Sequence, residues 1–105
     1  MAVYPNRGAY GASNLALEGN WVQTYDPRGA TPGLDCIDSG AVALRRSLLS
    51  EIEDGAVWDL GALWSKLARR RKLRALLVPE RSYEIGSAEG RAELARHLAA
   101  EAVQS

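Results

Sequence analysis

Ser82-Tyr83-Glu84-Ile85-Gly86-Ser87-Ala88-Glu89-Gly90 combines an acidic side chain, a glycine turn and a run of small polar residues. It follows a strand-like apolar run, residues 73–78, and leads into an amphipathic run, residues 88–102. That order predicts a carboxylate, Glu84, at a strand tip, with a glycine turn beside it and a helix N-terminus directly after. An acidic group in that position can hold a divalent cation. The N–H groups of the turn and the positive end of the helix dipole favour phosphate. Such a junction could handle a phosphorylated ligand, although strand-turn-helix joints with an acidic residue are also common as purely structural features.

A second candidate is Ile37-Asp38-Ser39-Gly40-Ala41, which sets a carboxylate and a glycine inside a strand-like pattern. Glycine in a strand marks either a close approach of another group to the backbone or a bulge, here with a solvent-facing Asp38. Other chemistry-bearing residues read more simply. Residues 69–74 form the most basic run, and cations at a helix C-terminus complement the macrodipole while remaining solvated. The charge balance and the lack of interleaved aromatics argue against nucleic acid. His97 has Glu93 and Glu101 four residues away on either side, the pattern of a solvated helix face rather than a metal site. The single cysteine, Cys36, reads as a small semi-buried strand residue. Trp21, Trp58 and Trp64 read as core or hairpin-packing residues. No P-loop, zinc motif, nucleophile elbow or CxxC is present.

The elements that must position Asp38 and Glu84 follow from periodicity and turn chemistry. Residues 13–18 and 21–25 flank Gly19-Asn20 and predict a tight hairpin. A proline- and glycine-rich loop follows over residues 26–33. A third strand is expected over residues 36–44, interrupted at Asp38-Ser39-Gly40. Residues 46–52 predict a short helix with Leu48, Leu49 and Ile52 inward. Asp59 is placed to cap a helix from Leu60 to about Arg71, where Leu60, Leu63, Trp64 and Leu67 draw one apolar stripe. Residues 73–78, ended by Pro79, read as a buried strand. Ser87 should cap the last helix, with Glu89 in its first turn and Leu94, Ala95, Leu98, Ala99 and Ala102 on a narrow face. Val3 and Tyr4 resemble the middle of a strand. The class is therefore α/β or α+β.

The chain has 105 residues, which allows one modest core, and its 13 basic and 13 acidic residues cancel. Neither nucleic acid nor an anionic membrane is favoured as a partner by that balance. No apolar run approaches the roughly 18 residues needed to span a bilayer. A lone cysteine and the absence of a leader pattern are what a cytoplasmic protein would have.

Taken in order, GNWVQTYDPRGATPGLDCIDSGAVALRRSLL and WDLGALWSKLARRRKLRALLVPERSYEIGSAEGRAELARHL resemble the C-terminal half of sugar-1-phosphate nucleotidyltransferases. The subgroup in view acts on mannose, glucose or heptose 1-phosphates. The resemblance runs over residues 3–98 and rests on the order of the motifs rather than on any one of them. It implies a partial, Rossmann-like α/β nucleotidyltransferase fold: residues 1–105 as one C-terminal, sugar-binding half, with a β-hairpin, further strands and about three helices. It also implies that Glu84 helps to bind a catalytic Mg2+, that Asp38 and Gly40 line the sugar pocket, and that Asp26 matches the acidic residue of the family's Tyr-Asp-Lys strand. The substrates would be an NTP and a sugar 1-phosphate, and the products an NDP-sugar and pyrophosphate. Two departures stand out. The family's lysine is Pro27 here, with Arg28 one position off. The Gly-rich nucleotide-binding loop and the second metal-binding Asp of the family's N-terminal half have no counterpart. Turnover is then expected to need that half, supplied by a neighbouring polypeptide unless the chain is a truncated gene product; the expected macromolecular partner is a separate N-terminal half or, in a homo-oligomer, a second copy of the chain. The alternative is a non-catalytic module that binds a sugar phosphate or self-associates through open sheet edges.

Overall fold

A computed structural model describes residues 1–104 and is mixed α/β, with two small sheets and, among the described residues, three helices. The expected hairpin forms from β2 (Leu15–Glu18) and β3 (Trp21–Tyr25), antiparallel. Gly19 takes φ +59°, the left-handed conformation that a two-residue hairpin turn requires at its first position. The register slips between Ala16 and Leu17, where Gln23 is the extra, bulged residue.

The second sheet has the order β4-β1-β5, with β1 (Ala2–Tyr4) at its centre. β1 pairs antiparallel with β4 (Ile37–Asp38) and parallel with β5 (Leu76–Leu77). Val3, in the middle of β1, is fully buried.

Both predicted long strands are shorter than expected, and for the same reason: each switches partner part-way. Leu73 and Ala75 bond to the hairpin end, through Val22 N–H to Leu73 O at 2.9 Å and Ala75 N–H to Asn20 O at 2.8 Å. The same chain then crosses to β1, with Leu76 N–H to Met1 O at 2.8 Å and Val78 N–H to Val3 O at 2.9 Å. Residues 73–78 are thus hydrogen-bonded along their length but do not form a buried strand. β5 lies on a sheet edge with Leu76 70% and Leu77 57% exposed. Cys36 likewise bridges to Leu15 before Ile37 and Asp38 join β1, and the strand expected to reach residue 44 ends where Gly40 adopts φ +83°.

α1 (Arg46–Leu49) is one turn long; Leu48 packs against the core, whereas Leu49 is exposed. α2 (Leu60–Arg69) begins as expected, with Gly61 N–H donating to Asp59 Oδ1 at 3.1 Å. Leu63, Trp64 and Leu67 are buried against the hairpin together with Val22 and Leu15, while Leu60 is exposed. Each fully buried Leu or Val there contributes about 1.5–3 kcal/mol by leaving water. The helix closes with Lys72 N–H to Leu67 O at 2.9 Å and Arg71 N–H to Ala68 O at 3.1 Å, while Arg71 takes φ +53°. That pair of bonds is a Schellman closure with arginine where glycine is usual.

α3 (Ala88–Gln104) buries only Gly90 among its described residues, and Leu98 and Val103 are exposed on it. The expected Ala-rich face is largely uncovered. The radius of gyration of 15.6 Å accordingly exceeds the roughly 13 Å of a compact domain of this length.

Candidate functional site

A cavity of about 440 Å³ opens between the end of β4 and the loop that precedes α3. Asp38, Ser39 and Gly40 form one wall, and Arg81, Ser82, Tyr83, Glu84 and Ser87 form the facing one. The two candidate motifs of the sequence therefore share one concavity. They also touch: Ser82 Oγ donates to Ser39 O at 3.4 Å.

Asp38 is held from three sides. Its N–H donates to Asn14 Oδ1 at 3.1 Å, its Oδ1 accepts from Gly40 N–H at 2.7 Å, and its Oδ2 lies 3.4 Å from the Tyr25 hydroxyl. Burial, reinforced by the charge of Asp38, raises the pKa of that hydroxyl above its ordinary value. A Cβ at Gly40 would meet nothing within 4 Å. Glycine is needed there for its left-handed φ, which turns the chain at the cavity mouth, and the space beside it is open.

Glu84 does not stand at a strand tip. β5 ends at Leu77, Pro79 has no N–H to continue the ladder, and residues 79–87 run as a loop to α3. The glycine turn and helix start that follow Glu84 are as expected. Ser87 caps α3, with its Oγ accepting from Gly90 N–H at 3.0 Å, and Glu89 lies in the first turn. The Glu84 carboxylate is folded back onto this turn: Oε2 accepts from Gly86 N–H at 2.9 Å and Ser87 N–H at 3.2 Å, and Oε1 accepts from the Ser87 hydroxyl. These bonds, that of the Ser87 hydroxyl foremost, hold the carboxyl below its ordinary value and so keep it ionised. Gly90 makes the arrangement possible, because a Cβ there would collide with the carbonyl and carboxylate oxygens of Glu84.

Asp26 lies outside the cavity. It organises the proline-rich loop, accepting from Arg28 N–H, Ala30 N–H, Thr31 N–H and the Thr31 hydroxyl at 2.7–3.1 Å. The Thr31 bonds hold its carboxyl below the usual value.

Comparison with family models, with curated proteins and with solved structures returned no match for this chain. What the site can do therefore has to be argued from its own atoms.

Several lining residues carried no signal in the sequence. Tyr4, Tyr10 and Tyr83 supply aromatic rings to the cavity. Arg81 is clamped between two of them, its guanidinium 3.8 Å from the Tyr10 ring centre and 4.2 Å from that of Tyr83, and it pairs with Glu93 at 2.7 Å. Tyr83 stacks in turn on His97 at 4.8 Å, and His97 Nε2 reaches Glu101 at 3.3 Å. Tyr10 is placed by Asn6, a buried side chain that accepts from Tyr10 N–H and donates to Gly11 O and Ser13 Oγ. Among the described residues, Ser39 Oγ and Arg81 Nε are buried without a hydrogen-bond partner, and both residues line the cavity. The only signal that could have flagged this cluster is the tyrosine-and-arginine content of residues 81–83.

Chemically, the cavity offers carboxylates that accept hydroxyl donors. Four carboxylates (Asp38, Glu84, Glu89, Glu93) face one guanidinium, Arg81. No group of three or more His, Cys, Asp or Glu able to hold a metal occurs among the described residues. Among them, no helix is long and apolar enough to cross a membrane. Cys36 is buried and not part of the cavity; burial, with Asp35 beside it, pushes its thiol up to about 11, which leaves it inert as a nucleophile at neutral pH.

Proposed function

We propose that this chain is the sugar-binding part of a sugar-1-phosphate nucleotidyltransferase, with a partial fold of that type. The reaction would join an NTP and a sugar 1-phosphate into an NDP-sugar and release pyrophosphate. The observation that supports the reading is the shared cavity, which Asp38, Gly40 and Glu84 all line. Carboxylates can accept from the hydroxyls of a pyranose.

Magnesium fits to a limited degree. A carboxylate has about four lone-pair sites, and three donors already occupy sites on Glu84. One position is left, and Mg2+ is usually held by only one or two carboxylates together with substrate phosphates. Glu84 would hold the ion, whose chemistry is to offset the charge that builds up on the transferred phosphoryl group. Asp38 and Gly40 would orient the sugar. Asp26, which lies outside the cavity, would act only through its loop.

The excess of carboxylates makes a specific prediction. Without metal, the chain should bind a free hexose or heptose at least as tightly as its 1-phosphate, and Asp38→Ala should abolish both signals in saturation-transfer NMR. Saturation-transfer contacts from either ligand that are unaffected by Asp38→Ala would overturn the assignment.

A further inference from the structure

A second concavity, of about 680 Å³, lies between α1 and the C-terminal end of α2 and shares no residue with the first. Its floor is apolar and includes Trp21, Leu48, Leu67 and Leu73. Its rim carries Arg45, Arg70, Arg71, Lys72 and Arg74, against one carboxylate, Glu51. Glu51 lies 3.9 Å from Lys66, Arg71 is paired with Glu18, and Arg74 lies over the Trp21 ring at 4.9 Å. Arg45, Arg70 and Lys72 have no acidic partner among the described residues.

Cations following a helix C-terminus are expected on dipole grounds alone, and Arg70 to Lys72 fit that account. Arg45 does not, because it comes from a separate segment ahead of α1 and lines the same groove. In a chain of zero net charge, five cationic side chains around one concavity create a local positive field that the Arg71–Glu18 pair and Glu51 offset only in part. Guanidinium groups in that density match the oxygens of successive phosphates, which they bind as two-pronged donors.

We infer that this groove binds a linear oligophosphate, either free or carried by a nucleotide. The chain of phosphates is the recognised element, and the rim from Arg45 to Arg74 spans it. This site is independent of the sugar cavity.

The test is calorimetric titration of the whole chain at about 20 mM salt, where screening is weak, with tripolyphosphate, ATP and AMP as separate ligands. Tripolyphosphate and ATP should bind with similar affinity, and AMP about tenfold or more weaker, because it lacks the neighbouring charges. The double variant Arg70→Glu/Lys72→Glu should weaken tripolyphosphate about tenfold or more. Both side chains are exposed, so its circular dichroism should match that of the parent. Glu80→Gln, at an exposed position outside both cavities, should leave the affinity unchanged. The inference is overturned if tripolyphosphate gives no saturable heat, if the charge-reversed variant binds equally well, or if ATP binds and tripolyphosphate does not. Tighter binding of a single-stranded oligonucleotide of matched charge would also overturn it and assign the groove to nucleic acid.

Discussion

Replacing Gly90 with alanine should destabilise the protein, against the ordinary rule for helices. Glycine inside a helix costs about 1 kcal/mol relative to alanine, so propensity alone predicts a gain of that size. The packing predicts a loss. A Cβ at position 90 would overlap the Glu84 carbonyl oxygen and Oε1 and come within 2.8 Å of its Cδ. The carboxylate can rotate away, but the carbonyl belongs to the backbone of the loop and cannot move without displacing Ser82 and Tyr83 with it. Overpacking of this kind costs about 1–3 kcal/mol, and with a backbone atom as the obstacle the upper part of that range applies. The net expectation is a loss of about 1–2 kcal/mol once propensity is subtracted. At about 4–8 °C per kcal/mol, Tm should fall by roughly 5–15 °C. Thermal unfolding followed by far-UV circular dichroism measures it, with amide exchange at Gly86 and Ser87 as the local readout. The double variant with Glu84→Ala separates the two obstacles, since it removes Oε1 and leaves the carbonyl. If Gly90→Ala instead raises Tm by the propensity amount, the close approach of α3 to Glu84 is wrong, and the placement of Glu84 in the cavity wall goes with it.

Two further outcomes follow from the backbone and the charges. Arg71→Gly should stabilise by about 0.5–1 kcal/mol, because it relieves a left-handed φ of +53° and loses only an exposed ion pair to Glu18; a lower urea midpoint at unchanged m-value would contradict this. Glu84 has a folded pKa below its ordinary 4.5, so its contribution is fully present above that value and is lost as pH falls through the folded pKa. Protection of the Gly86 and Ser87 amides, taken relative to their intrinsic exchange rates, should accordingly fall on acidification below 4.5 in the parent but not in Glu84→Gln, and parent protection that stays constant across that window would refute the assignment.

What could be seen in the sequence was local. Asp59, Ser87 and Gly19-Asn20 are short-range devices whose partners lie within a few residues, and each acts where it was expected. The stripe of Leu63, Trp64 and Leu67 is likewise a property of one helix. The partner switches at Ala75 and Cys36 were not legible, because which neighbour a strand residue bonds to is decided by chain segments tens of residues away. The same limit hid the Tyr10–Arg81–Tyr83–His97 stack, which joins segments separated by more than seventy residues and shows no periodicity in any of them. Glu84 and Asp38 could be picked out singly by residue type. Their sharing of a cavity depends on β1 holding β4 on one side while residues 76–78 run along the other.

The two concavities differ in charge although the chain has no net charge. Carboxylates collect at the cavity beside α3 and guanidinium groups at the groove beside α2, so the balance in composition conceals opposite local fields. A phosphate dianion entering the first cavity meets Asp38, Glu84, Glu89 and Glu93 with only Arg81 in return, and Arg81 is already committed to Glu93. At about 4 Å, each unscreened like-charge contact near a protein surface costs on the order of a few kcal/mol, which the single guanidinium cannot offset. A neutral polyol faces no such cost and finds acceptors in every direction. On the proposed reading the division of labour would lie within the ligand itself: this cavity would take its hydroxyls, and any phosphate attached to them would have to be neutralised by a cation or held by residues beyond the cavity walls.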